Sequence, residues 1–219
     1  MQNIHQMQMM AAQAALKHIT NKVILAVGTG TIVECFIELL ATVREQIKAT
    51  VASSKKTEQL LLAKGLPVIA FNSIEEITLY IDSADAYNNI KQLVKGDGGA
   101  LTREKILANA SKKFICLVDQ TKAADILGKF PIPVEVIPMA RSYVAREIVK
   151  LGGLPQLRNN FITDNGNIIL DVHNLKIECP IKLEIQLNNI PGAVENGLFA
   201  ARGADQIIVG LQDSVISLD

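Results

Sequence analysis

The chain predicts an α/β protein, a mostly parallel sheet with helices on both faces into which a smaller α+β domain is inserted. Three observations carry that reading. Short β-branched runs alternate with stretches of helical apolar spacing through residues 1–130. The rhythm changes after Pro131-Ile132-Pro133, and one more β-rich run, Gln206 to Leu211, closes the chain.

Each element follows from its pattern. Apolar residues recur at helical spacing from Met7 to Ile19, and Val23 to Val27 is a buried strand ending in Gly28-Thr29-Gly30-Thr31. Ile32 to Leu40 reads as a helix, Ala49 to Ala52 as a second strand, and Glu58 to Lys64 as a helix closed by Gly65. Val68 to Phe71 reads as a further strand, and the apolar run Ile77 to Ile81 stops at Asp82-Ser83-Ala84-Asp85. A helix from Arg103 to Ala110 leads into the strand Phe114 to Val118, which ends at Asp119. This alternation implies a Rossmann-like sheet. Beyond Pro133, the strand Val134 to Ile137, the helix Arg141 to Leu151 and two strands flanking Asp164-Asn165-Gly166-Asn167 follow, since Asn-Gly between apolar runs marks a hairpin. A helix over Ile181 to Leu187 and a strand at Gly197 to Phe199 complete the order β-α-β-β-α-β, the ferredoxin-like pattern. The expected domains are 1–130 with 204–219, and 131–203.

Composition narrows the function. The 219 residues are 49% hydrophobic, enough for a buried core, and 22 Lys plus Arg balance 22 Asp plus Glu. The charges are dispersed, so the chain carries no electrostatic footprint for nucleic acid or an anionic membrane. Cys35, Cys116 and Cys179 are odd in number and far apart, which fits reduced thiols in a cytoplasmic protein. No apolar run is long enough to span a bilayer, no secretory leader pattern opens the sequence, and His5, His18 and His173 lack the close spacing of a metal site. Neither a metal nor a redox cofactor is expected.

Polar and glycine-rich residues gather where the strands end, which is where ligands bind in parallel sheets. Gly28-Thr29-Gly30-Thr31 lets backbone amides at a helix start meet a phosphate, although a tight turn without a ligand would use the same residues. Val33 and Ser53-Ser54 stand where a dinucleotide fingerprint needs a small residue and an acid, which argues against NAD. Asp82 and Asp85 can face one pocket or merely cap a turn. Around Lys95-Gly96-Asp97-Gly98-Gly99, glycines permit unusual backbone shapes, Thr102 is a candidate N-cap, and Glu104 falls in the first helical turn, where it could serve substrate or only the helix dipole. Lys122 could meet an anion, whereas Arg141 and Arg146 fit an exposed helix face.

Taken together these segments resemble ribose-5-phosphate isomerase of the A type. The Gly-Thr-Gly turn, Asp82-x-Ala-Asp85, Lys95-Gly, Ala100-Leu101-Thr102-Arg103-Glu104-Lys105, Lys113-Phe114-Ile115-Cys116, Leu127-Gly128-Lys129-Phe130-Pro131, Val134 through Ser142 and Thr163-Asp164-Asn165-Gly166-Asn167 carry the resemblance along essentially the whole chain. It implies cofactor-free conversion of ribose 5-phosphate to ribulose 5-phosphate through an enediolate. Glu104 matches the family's general base, Lys95 the group that stabilises the oxyanion, and Asp82 and Asp85 the residues handling hydroxyl protons and ring opening. Thr29, Gly30, Thr31, Ile32 and Lys122 would line the substrate pocket together with Ser83, Ala84, Gly96, Asp97 and Gly98. The family usually has Gly at positions 83 and 97, Glu at 86, a hydroxyl residue at 32 and a basic residue near Gln8 and Met9. These departures imply an active isomerase with weakened phosphate affinity; the alternative is a sugar-phosphate-binding homologue with weak or no turnover. A sugar-phosphate-responsive transcriptional regulator would need a DNA-binding element, and only a single helix precedes the sheet. The apolar second domain suggests a homodimer or homotetramer.

Overall fold

A computed structural model describes residues 2–219. In chain order the elements are α1 (Gln2–Ala15), β1 (Val23–Val27), α2 (Thr31–Leu40), β2 (Ile47–Ala52), α3 (Lys55–Ala63), β3 (Ile77–Ser83), β4 (Ala86–Tyr87), β5 (Leu93–Val94), α4 (Leu101–Ala110) and β6 (Ser111–Asp119). There follow β7 (Ile132–Val136), α5 (Arg141–Lys150), β8 (Leu154–Leu157), β9 (Ile168–His173), α6 (Pro180–Asn188), β10 (Ala193–Asn196), β11 (Leu198–Phe199), β12 (Gln206–Gly210) and β13 (Val215–Leu218). Two compact units result: Met1–Ser83 with Arg103–Lys122 and Ala204–Asp219, and Ala84–Thr102 with Ala123–Gly203.

The first unit is built on a sheet of order β13-β12-β6-β3-β1-β2, in which all neighbours are parallel except β13, paired antiparallel to β12. Burial on both faces explains the unbroken apolar runs of β1 and β6. Leu25, Val27, Ile81, Ile115, Leu117 and Ile208 from the strands meet Val33, Phe36, Ile37 and Leu40 of α2 and the small residues Ala11, Ala12 and Ala15 of α1 in one core. Small residues let α1 lie close: a Cβ added at Gly210 would stand 1.9 Å from the Met7 carbonyl oxygen. Ser54 caps α3 by accepting the Thr57 amide at 3.1 Å.

The strand expected at Val68–Phe71 is reduced to one parallel bridge between Thr50 and Val68, followed by a single 3-10 turn over Phe71–Ser73. Pro67 has no amide to donate, and Ser73 N–H closes a turn on the Ala70 carbonyl at 2.9 Å, so pairing with β2 cannot propagate. The antiparallel edge β13 was not legible as a separate strand.

The second unit holds an antiparallel sheet of order β10-β7-β9-β8, which with α5 and α6 gives β-α-β-β-α-β. Ile132, Val134 and Val136 of β7 pack with Leu170 and Val172 of β9, Val144 and Ile148 of α5 and Leu183 and Leu187 of α6. A second, three-stranded sheet runs β11-β5-β4. It accounts for the difference between these units and the boundaries expected at 130 and 204. Residues 84–102 join the second unit because β4 and β5 pair with β11, and residues 123–130 join it through a Tyr87–Ala123 bridge and the burial of Ala124 and Leu127.

Two local expectations shift. The strand read at Gly197–Phe199 is not the one that closes the ferredoxin-like order: β10, just before it, takes that place against β7, and Leu198–Phe199 forms β11, paired with β5. Gly197 sits at the division, where its amide donates to the Pro133 carbonyl and its carbonyl accepts the Lys95 amide, and a Cβ there would lie 2.2 Å from the Lys95 oxygen. The Asn165-Gly166 turn caps a longer connection, because β8 ends at Leu157 opposite Leu170. Thr163, Asn165 and Asn167 instead direct their side chains to Glu135, a fully buried carboxylate on β7 that also accepts from Thr102.

Candidate active site

At the carboxyl ends of the first unit's parallel strands, the Gly28–Thr31 turn is folded around Asp82. Asp82 has no exposed surface, and its Oδ1 accepts the Thr29 amide at 3.0 Å and the Ser83 amide at 2.7 Å, while Oδ2 accepts the Tyr80 hydroxyl. Ser83 Oγ returns a bond to the Thr29 carbonyl at 3.0 Å. Only glycine fits beside this carboxylate: a Cβ at Gly28 would be 1.7 Å from Asp82 Oδ1, and one at Gly30, where φ is +137°, would be 2.6 Å from Ser83 Oγ. Gly30 then opens α2, whose first-turn amides at Thr31 and Ile32 lack carbonyls within the helix and suit an anion.

The Thr29 hydroxyl faces other hydroxyls of the protein. It lies 2.8 Å from Ser53 Oγ and 2.9 Å from Ser54 Oγ, Ser54 donates to Thr57 Oγ1, and Thr57 donates to the Gly28 carbonyl at 2.7 Å. This hydroxyl chain rivets the turn to the start of α3. Ile32 requires a correction: its side chain is 4% exposed and belongs to the apolar core, so only its backbone can serve a ligand. Gln8 of α1 donates to Thr31 Oγ1 at 3.2 Å and reaches Asp119 Oδ2 at 3.5 Å, at the end of β6, next to the half-buried Lys122. Asp119 also accepts the Thr121 amide and hydroxyl.

Glu104, in the first turn of α4, is 4% exposed. Its charge and that of Asp82 both act on Tyr80, whose phenol is pushed well above its usual range, by burial first and by those carboxylates second. Tyr80 therefore stays a protonated donor to Asp82. In the second unit, Ala84 is buried and Asp85 Oδ2 accepts the amide of Asp97 at 3.0 Å. Lys95 is 2% exposed, with Nζ 5.5 Å from the centre of the Phe199 ring. Gly96 has φ +118°, and Asp97 and Gly98 are exposed. Among the described residues no cluster of three or more His, Cys, Asp or Glu is placed to hold a metal.

Thus Thr29, Gly30, Thr31, Asp82, Ser83, Glu104 and Lys122 are gathered in the first unit, and Ala84, Asp85, Lys95, Gly96, Asp97 and Gly98 in the second. Sequence reasoning missed Tyr80, which the period of two along β3 places on the same face as Asp82, and it missed the hydroxyl chain and the bonds from Gln8 to Thr31 and Asp119.

Comparison with known proteins decides the family. The family model described as Ribose 5-phosphate isomerase A (phosphoriboisomerase A) matches residues 49–214. The chain belongs to the ribose 5-phosphate isomerase A family. It is 54% identical to the ribose-5-phosphate isomerase A of Legionella pneumophila (strain Lens), over 97% of this chain and 99% of that protein. The isomerase of Histophilus somni (strain 2336) is also 54% identical, over 93% of this chain and 94% of that protein. The crystal structure of ribose 5 phosphate isomerase A from Neisseria gonorrhoeae superposes with a TM-score of 0.96 at 40% identity, covering 98% of this chain and 96% of that one. A D-ribose-5-phosphate isomerase solved in complex with phospho-erythronic acid gives 0.95 at 37% identity, covering 99% of both chains. No helix among the described residues of this family member is long and apolar enough to cross a membrane.

Proposed function

We propose that this protein interconverts D-ribose 5-phosphate and D-ribulose 5-phosphate through an enediolate, using ionisable side chains alone. The observation that carries the reading is a carboxylate, Glu104, buried in the first turn of α4 with its charge felt at Tyr80, the phenol that donates to Asp82. Glu104 takes the proton from C2 of the open-chain aldose, and the electron pair flows into the C1 carbonyl to give the enediolate. Glu104 returns the proton to C1 while the O2 hydroxyl passes its proton to the O1 oxyanion, leaving the ketose. Such proton transfer contributes about 10²- to 10⁴-fold to rate. Lys95 stabilises the oxyanion, an electrostatic effect of roughly 3 kcal/mol. Asp82 and Asp85 move hydroxyl protons and assist ring opening, and a water-poor setting such as that around Asp82 strengthens each such interaction.

The amides of Thr31 and Ile32, with Lys122, receive the phosphate, and Ser83, Ala84, Gly96, Asp97 and Gly98 bound the sugar. A relative solved with phospho-erythronic acid supports a phosphorylated, anionic ligand. We place the enzyme in the cytoplasm as a homodimer or homotetramer without nucleic-acid or membrane partners. Exposed apolar side chains of the second unit, Met139 at 93%, Ile162 at 63% and Val149 at 57%, support self-association. Glu104→Gln tests the mechanism: turnover of ribose 5-phosphate falls at least about a hundredfold while binding measured calorimetrically persists. Full turnover in that variant refutes the assignment, and wild-type binding without turnover identifies a lapsed homologue.

A further inference from the structure

Arg158 follows β8 and matches none of the residues to which a role has been given. Its Nη1 donates to two successive backbone carbonyls, Gly96 at 3.1 Å and Asp97 at 2.8 Å. Its Nε and Nη2 form a fork on Asp171, at 2.9 Å and 2.5 Å. The guanidinium also lies over Phe161, 5.2 Å from the ring centre, and Phe161 is the neighbour that a Cβ at Gly99 would strike, 2.1 Å from Cζ. All these groups lie within the second unit.

One planar cation thus joins a carboxylate on the sheet to both carbonyls of the Gly96-Asp97 step, and the adjoining ring closes over Gly99. With those carbonyls held, and with Gly96 at φ +118°, the Asp97 amide is aimed at Asp85 Oδ2, 3.0 Å away. On the other side, Lys95 is tied through its amide to the Gly197 carbonyl at 2.9 Å. Thr102 is held by its side-chain hydroxyl, which donates to the Glu135 carboxylate, so the loop is fixed at both ends and in the middle. A lysine could not replace Arg158. A single ammonium has no planar fork with which to satisfy Asp171 and two carbonyls together.

We propose that Arg158 is a positioning residue for the isomerase reaction, a clamp that sets the Lys95–Gly99 loop and, through the Asp97 amide, the orientation of Asp85. The proposal rests on the function proposed above. It predicts a loss chiefly in kcat with a smaller change in KM, because the clamp acts through the Gly96-Asp97 step on Lys95 and Asp85, to which the chemistry is assigned, and touches none of the groups that receive the phosphate.

Arg158→Ala and Arg158→Lys are compared with the wild type for kcat, KM and amide hydrogen exchange over residues 95–101. Expected are a fall in kcat of between about tenfold and a hundredfold in both variants, a KM within about threefold, and faster exchange at Asp97. Sub-denaturing guanidinium should restore part of the activity of Arg158→Ala and none in Arg158→Lys, a pattern that general destabilisation would not produce. Asp171→Asn, which keeps the side-chain shape, serves as a milder variant and should show the same signs at smaller size. A kcat within twofold of wild type in Arg158→Ala with unchanged exchange overturns the clamp. Should the wild type lack isomerase activity, the proposed function fails by itself, and exchange at Asp97 still decides the clamp: faster in the variant upholds it, unchanged refutes it.

Discussion

Tyr80→Phe removes one atom from the most buried part of the site. Tyr80 has no exposed surface, its ring stacks on Phe114 with centroids 4.8 Å apart, and its hydroxyl donates to Asp82 Oδ2. Phenylalanine keeps the ring and the stack, so the loss is one hydrogen bond to a charged group, about 2 kcal/mol. Asp82 retains the Thr29 and Ser83 amides, so the fold should persist with a lower urea midpoint at pH 8. The pH dependence gives a sharper signature. A phenol whose pKa is raised in the folded state keeps its proton there while the unfolded chain releases it near pH 10. The stabilising contribution is therefore complete below pH 10 and declines above it, at up to about 1.4 kcal/mol per pH unit. The variant lacks this group. The gap of about 2 kcal/mol should close as pH rises from 10 to about 11.5, read from urea unfolding followed by circular dichroism. Parallel stability curves across that range, or a variant as stable as wild type at pH 8, would refute the account of Tyr80 as a neutral donor to a buried carboxylate.

Two further substitutions probe the turn and the loop. Gly28→Ala drives a methyl into Asp82 Oδ1, 1.7 Å away, and costs the carboxylate its two amide bonds. Stability should fall by at least about 3 kcal/mol in urea melts, and kcat/KM by more than about a hundredfold. Asp97→Gly removes an exposed negative charge from a loop that serves a dianionic substrate, while the backbone bonds to Asp85 and Arg158 remain possible. KM should drop about two- to fivefold in low salt, and the gain should fade by about 1 M ionic strength, with unfolding free energy changed by less than about 1 kcal/mol.

Much of the architecture was readable because burial imposes periodicity. The continuous apolar runs of β1 and β6 announce strands covered on both faces, and the order β7-α5-β8-β9-α6-β10 leaves its own pattern of two and 3.6. Failures came where a neighbour overrode the local signal. Val68–Phe71 has strand composition, yet Pro67 and the turn closed by Ser73 stop it after one bridge. Gly197 looked like the start of the closing strand and proved to separate that strand, β10, from β11, which belongs to another sheet.

The chain by itself offered the candidates for chemistry: Glu104 in the first turn of a helix, Lys95 among glycines, and aspartates at 82 and 85. Only the tertiary structure decided how they are held. It sends Ile32 into the core, ties Thr29 to the serines at the end of the neighbouring strand, sets Tyr80 against Asp82, and brings Arg158 across 61 residues of sequence to the Asp97 carbonyl. Local sequence encodes propensity and periodicity. The partner of a buried polar group is chosen by whichever distant segment the packed core delivers to it, and that choice leaves no local pattern to read.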